Sequence, residues 1–180
     1  MIRGKGLGCT LACLLLPITF CLETQAVQFP ARGTAPIGTP AVTVISMSDG
    51  YTSVGERYNA RITVLQTMRG EKAWDLVREA SASNAPPKAD FEYILARVKF
   101  EFSLKNEPAN RSYILRENQF TAFSEDGAEY DPVAIVFPKP NLNGKVYAGD
   151  SMEGWVAFLV AQKDKKPVMT FSNSLRFQLY

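Results

Sequence analysis

The sequence has 180 residues, 46% of them hydrophobic and 21% charged, with no histidine, three cysteines and a formal net charge of +2. Without histidine the chain lacks the side chain most used for proton transfer at neutral pH and for transition-metal binding. Near-neutrality speaks against nucleic acid or an anionic membrane as the main partner.

Arg3 and Lys5 open the chain, an apolar run of 16 residues follows from Leu7 to Leu22, and Thr24 and Ala26 are small residues at the two positions a signal peptidase reads. Residues 1–26 are therefore expected to be a secretion signal cleaved after Ala26. The alternative is a retained anchor. A spanning helix needs about 20 apolar residues, whereas this run is shorter and holds Pro17. A lipidated cysteine is a third option, but Cys21 follows the large Phe20 and Cys13 is followed by more of the apolar core.

Because Cys9, Cys13 and Cys21 all lie inside the leader, the exported chain is expected to carry no thiol. That removes cysteine nucleophiles and disulfides as well. Cleavage would also take Arg3, Lys5 and Glu23, leaving a net charge of +1. The rest is long enough for one domain, burying about 68–70% of its unfolded surface, with no stable membrane insertion after cleavage.

Residues 27–40 hold three prolines and two glycines and are expected to be a flexible linker before a domain at 41–180. Ala41 begins a short β-branched run, and Ile62 and Val64 have the spacing of a half-buried strand. After Gly70, Ala73, Leu76, Val77 and Ala80 fall at helical spacing, and Asn84-Ala85-Pro86-Pro87 stops the helix. Trp74 on that helix is expected to be a core plug.

Residues 92–104 alternate strictly. Ile94, Ala96, Val98, Phe100, Phe102 and Leu104 share one face, expected to be core. Tyr93, Leu95, Arg97, Lys99, Glu101 and Ser103 share the other, expected to meet water. Residues 118–124 read as a strand, Asp126-Gly127 as a hairpin turn, and Tyr130 as the start of the return. Two further strands follow a proline- and asparagine-rich excursion. The expected fold class is all-β, an antiparallel β-sandwich of about seven strands with one inserted α-helix.

Gly154 before an apolar strand suggests a bulge or close backbone approach, and Gly149-Asp150 a turn. Trp155 and Phe158 differ in parity, so one is expected to face the core and the other outward.

The order of the alternating strand ending at Lys105-Asn106, the strand with Phe120 and Phe123, the Asp126-Gly127 turn with Tyr130, and the segment Gly149 to Gly154-Trp155 to Phe158 resembles the bacterial secreted telokin-like domains of unknown function. That resemblance covers residues 41–180. It implies an immunoglobulin-like sandwich and a place at the cell envelope. It carries no catalytic residue, and the lipidation cysteine usual in such proteins is missing.

Candidate chemistry is sparse. Glu125, Asp126, Glu129 and Asp131 crowd one turn, which suits either a solvated hairpin tip or a calcium site. A glycosidase needs only two carboxylates, and Glu56, Asp150 and Glu153 are the acids considered for one. Lys163, Lys165 and Lys166 form a small basic turn, read as solvated. Met47, Met68, Met152 and Met169 are isolated and read as core or rim. Asn110-Arg111-Ser112 is a formal glycosylation sequon. The expectation is a secreted, non-enzymatic module without catalytic, cofactor or metal residues, binding an unknown protein or glycan at the cell envelope or outside the cell. The alternatives are a carboxylate-based glycoside hydrolase and a structural envelope protein assembling through strand edges.

Overall fold

A computed structural model of the chain describes residues 33–48, 55–104 and 111–180. The expected leader with its cysteines, residues 27–32 and Asn110 of the sequon lie outside the described residues.

The organising element is the 14-residue strand Phe91–Leu104, β4 in chain order. It pairs antiparallel with β3 (Glu56–Arg69) on one side and with β8 (Ser151–Ala161) on the other. A strand paired on both sides has its alternation read by two neighbours at once, so its parity fixes the faces of the whole sheet. Strand β2 (Ala41–Met47) completes the order β2-β3-β4-β8. A register shift between Val64 and Gln66 puts one extra residue into β3, and Leu65 is left 39% exposed.

The second sheet has the order β1-β10-β9-β6, from β1 (Thr34–Ala35), β6 (Phe120–Phe123), β9 (Val168–Phe171) and β10 (Leu175–Gln178). A small ribbon pairs β5 (Ser112–Leu115) with β7 (Gly144–Tyr147). The described residues thus hold more strands than expected. The additional ones are β1 and the β5–β7 ribbon, too short to carry a periodic signal, and the last expected strand is in fact two, β9 and β10, parted by a turn at residues 172–174.

The two four-stranded sheets close one core. Tyr58, Ile62, Ile94, Val98, Phe100 and Phe102 come from the first sheet, and Phe120, Met169, Phe171 and Phe177 from the second. Phe171 meets Phe100 and Phe120 at ring-centroid distances of 5.8 and 5.1 Å. Each phenylalanine buried this way contributes about 1.5–3 kcal/mol. The result is all-β and two-layered, with every strand pairing antiparallel except β1 against β10.

Three expectations need correction. First, the linker does not extend to residue 40: Thr34 and Ala35 pair in parallel with Arg176 and Phe177, Ala35 is buried, and Gly38 N–H donates to Val64 C=O at 2.7 Å. Second, the outer face of β4 is only partly open to water. Tyr93 and Leu95 are buried there in a second core with Ala73, Val77, Trp155 and Ala157. The parity was right, but helix α1 (Glu71–Ala80) lies across that end of the sheet. Third, residues 118–119 belong to a short 3-10 turn, Glu117–Gln119, that precedes β6.

Helix α1 starts where β3 ends, and Gly70 makes the corner with φ +71°. A side chain there would be strained by that φ, and its Cβ would stand 3.1 Å from Glu92 Oε2. Glu92 is held by Arg69, whose Nε is 2.7 Å from its Oε1. Ala73 and Val77 face the sheet, as their spacing predicts. Trp74 is half-buried and stacks on Tyr93 at 5.8 Å, sealing the rim of the second core and not filling its centre.

Candidate functional site: two grooves beside a strap

Tyr130 N–H donates to Ala122 C=O at 2.9 Å, and Glu129 bridges Phe123, so the chain turns back beside β6 as the Asp126-Gly127 hairpin predicts. The return then fails as a strand. Pro132 has no N–H to offer a ladder, and residues 130–137 leave β6 and cross to the outer face of the first sheet as a strap that bends at Ile135. Val133, Ile135 and Phe137 pack on the second core, whereas Val136 is 51% exposed. Period two survives without a partner strand.

Asn84 supplies the pairing that a strand would have given. Its Nδ2 donates to Val77 C=O at 2.7 Å and to Val136 C=O at 2.8 Å, and its Oδ1 accepts from Val136 N–H at 2.8 Å. The side chain is buried and uses both donor hydrogens and its carbonyl. The helix itself ends at Ala80, capped by Ser81 and not by the Asn84-Pro87 segment expected to stop it; Asn84, in the turn that follows, ties the helix end to the strap.

Two grooves flank residues 130–133 and share Tyr130, Asp131, Pro132 and Val133 as their common wall. The first, about 330 Å³, adds Lys88, Phe91, Tyr93, Glu129 and Leu159. Lys88 Nζ sits 4.0 Å from the Phe91 ring centroid. The second, about 310 Å³, adds Arg116, Asn118, Thr121, Phe137, Asn143 and Phe158. Both are lined about equally by polar and apolar surface, so each offers hydrogen-bonding groups beside apolar contact.

Tyr130 is fixed between them. Its hydroxyl donates to Asp164 Oδ2 at 2.8 Å, and burial followed by that bond pushes its pKa up to about 12. Asp164 is itself a hub: its Oδ1 accepts from Lys166 N–H at 3.1 Å and its carbonyl accepts from Arg69 at 2.5 Å.

This arrangement brings together the two charged turns that the sequence separates. Lys166 Nζ lies 3.3 Å from Glu125 Oε1, and Lys163 stands with Ser124, Glu125, Asp126 and Asp164 around one shallow depression. Asp126 is held below the usual carboxylate pKa by the Ser124 hydroxyl first and by backbone N–H groups second. Among the described residues no three acidic side chains gather as a metal cage.

The acids considered for hydrolysis are not brought together. Glu56 accepts from Tyr58 Oη at 2.6 Å and lies 3.3 Å from Arg111 Nε. Glu153 is on the outer face of β8, 3.3 Å from Arg97. Asp150 is exposed in the turn after β7, where Gly149 has φ +100°. Met169 is in the first core, Met47 and Met152 pack against it, and Met68 packs on the second.

Gly154 answers to close approach: a Cβ there would lie 2.5 Å from Asn141 C, and Trp155 N–H donates to Pro140 C=O at 2.8 Å. The bulge is elsewhere, in β3. Trp155 and Phe158 do face opposite ways, but both are buried, because each face of β8 has a core.

The strap and Asn84 were missed from the sequence. The available signal was the apolar alternation Val133, Ile135, Phe137, masked by flanking prolines at 132, 138 and 140. No protein-family model matches the chain, and no curated protein and no solved structure matches it.

Proposed function

We propose that this chain is a secreted, non-enzymatic module with an immunoglobulin-like, telokin-like sandwich that binds a protein or glycan at the cell envelope or outside the cell. The carrying observation is the pair of grooves sharing the Tyr130 to Val133 wall, each lined by mixed polar and apolar groups. Supporting it, the sequence contains no histidine, and Glu56, Glu125 and Glu153 each meet a cation instead of one another. Such a site recognises by shape and a few hydrogen bonds, without bond-making chemistry.

The test is site-specific photo-cross-linking in the producing cells. A benzophenone side chain at Asn118, in the second groove, should give a discrete adduct, while the same group at Arg61, on the open outer face of β3, gives none. Equal labelling at both positions, or none at Asn118, overturns the reading.

A further inference from the structure

The outer face of the second sheet carries a feature that the strap grooves do not use. Thr34, Arg176, Thr170 and Thr121 follow one another across all four strands in register, a continuous polar row. Thr170, in the row, is only 6% exposed, and its Oγ1 is buried without a hydrogen-bond partner. A buried hydroxyl left unpaired is destabilising, so its presence calls for an explanation beyond packing. A valine would fill the same space.

Thr170 is part of the wall of a depression of about 390 Å³ that also involves Phe123, Glu129, Asn173 and Arg176. Glu129, Asn173 and Arg176 are exposed and make no side-chain hydrogen bond or ion pair among the described residues. Asn173 is presented by the β9–β10 turn with φ +55°, a conformation asparagine tolerates better than most residues. Arg176 and Glu129 balance in charge without pairing, so neither a cation nor an anion is favoured as ligand. The surface offers guanidinium and amide donors, a carboxylate acceptor and one aromatic side chain.

We infer that this depression binds a neutral saccharide, with ligand hydroxyls meeting Arg176, Asn173 and Glu129 and one of them completing Thr170. Reaching Thr170 Oγ1 requires a neighbouring side chain to move. Arg176, the register neighbour of Thr170, is exposed and has no ion pair among the described residues to hold it in place. Apart from Glu129 the site shares no lining residue with the strap grooves, so it stands or falls independently of them.

The experiment is a nitrogen-15 NMR titration of the secreted protein with cellotetraose, maltotetraose and chitotetraose, all neutral. At least one should give saturable shifts at the Thr170 and Arg176 amides below about 10 mM, the weak end of specific binding. Thr170→Val should raise Tm by a few degrees by removing the unpaired hydroxyl and weaken that sugar roughly tenfold, the loss of one good hydrogen bond. Thr170→Ser keeps the hydroxyl and should keep binding. Arg176→Ala should weaken binding with little change in Tm, and should leave the Asn118 adduct intact. No shifts with any of the three sugars, or unchanged affinity in both Thr170→Val and Arg176→Ala, overturns the inference.

Discussion

Asn84 and Val136 exchange two hydrogen bonds of 2.8 Å each, across 52 residues of sequence. One amide side chain thereby does the work of a neighbouring strand, offering the strap a donor and an acceptor at the spacing of a peptide group. The same Nδ2 reaches back to Val77 C=O, so helix end and strap are tied at one point.

Asn84→Ala should therefore cost about 1–3 kcal/mol, the penalty of leaving buried polar groups unpaired. Asn84→Asp should be at least as damaging, since a carboxylate would face the Val77 and Val136 carbonyls with no hydrogen to give. Urea denaturation of the two variants checks this. Equal stability of Asp and Asn at this position would show that the strap does not depend on the clamp.

The two-core arrangement of β4 makes a three-way prediction. Phe100→Asp buries an unpaired charge between the sheets and should unfold a domain whose whole stability is about 5–15 kcal/mol. Leu95→Asp, on the opposite face, should be just as disruptive, because Leu95 is fully buried beneath α1. Lys99→Asp, further along that same face, loses the half-exposed contact with Glu101 at 3.2 Å and sets a carboxylate opposite Glu153, and should shift stability by about 1–2 kcal/mol without unfolding the domain. Thermal melts of the three separate a covered end of the face from an open one.

Gly154→Ala tests the approach of the 139–142 loop to β8. A methyl group 2.5 Å from Asn141 C and 2.6 Å from Leu142 N must push backbone, which no rotamer change relieves. A loss of about 1–3 kcal/mol is expected, as for overpacking elsewhere. Amide hydrogen exchange should locate the loosening at Trp155 N–H, whose bond to Pro140 C=O would be the first to lengthen.

Alkaline pH should weaken the fold through Tyr130. Its folded pKa is raised from the ordinary 10.0 to about 12, so the neutral phenol is the form the native state prefers. The stabilisation is complete below pH 10 and is lost as pH climbs from 10 towards 12. Tyr58, Tyr93 and Tyr113 are shifted in the same direction, each chiefly by burial. Tyr130→Phe should flatten the fall of the urea midpoint over this range without abolishing it. An unchanged slope would remove Tyr130 from the effect.

The faces of β4 were legible because strict period two over a long strand admits no other geometry. What covers those faces was not. Tyr93 and Leu95 share their side with Arg97 and Lys99, and nothing within β4 says that α1 and the strap bury one pair and spare the other. The meeting of Glu125 with Lys166 was equally hidden, since each turn reads as a solvated tip and only the β6–β9 pairing sets them side by side. Short elements left no trace at all: two paired residues in β1 make no pattern among prolines and glycines.

That short parallel pairing gives the domain a direction for load. Thr34 and Ala35 lie beside Arg176 and Phe177 with both strands running the same way, so tension applied at residue 33 and at Tyr180 pulls the pair along its length. The hydrogen bonds between them are then strained together in shear and are not peeled one by one. With only two residues in register, this clasp should yield at low force, before the β4-centred sheet is loaded. A module tethered at one end and gripping a partner at the other would then lengthen by a short step while its cores stay closed.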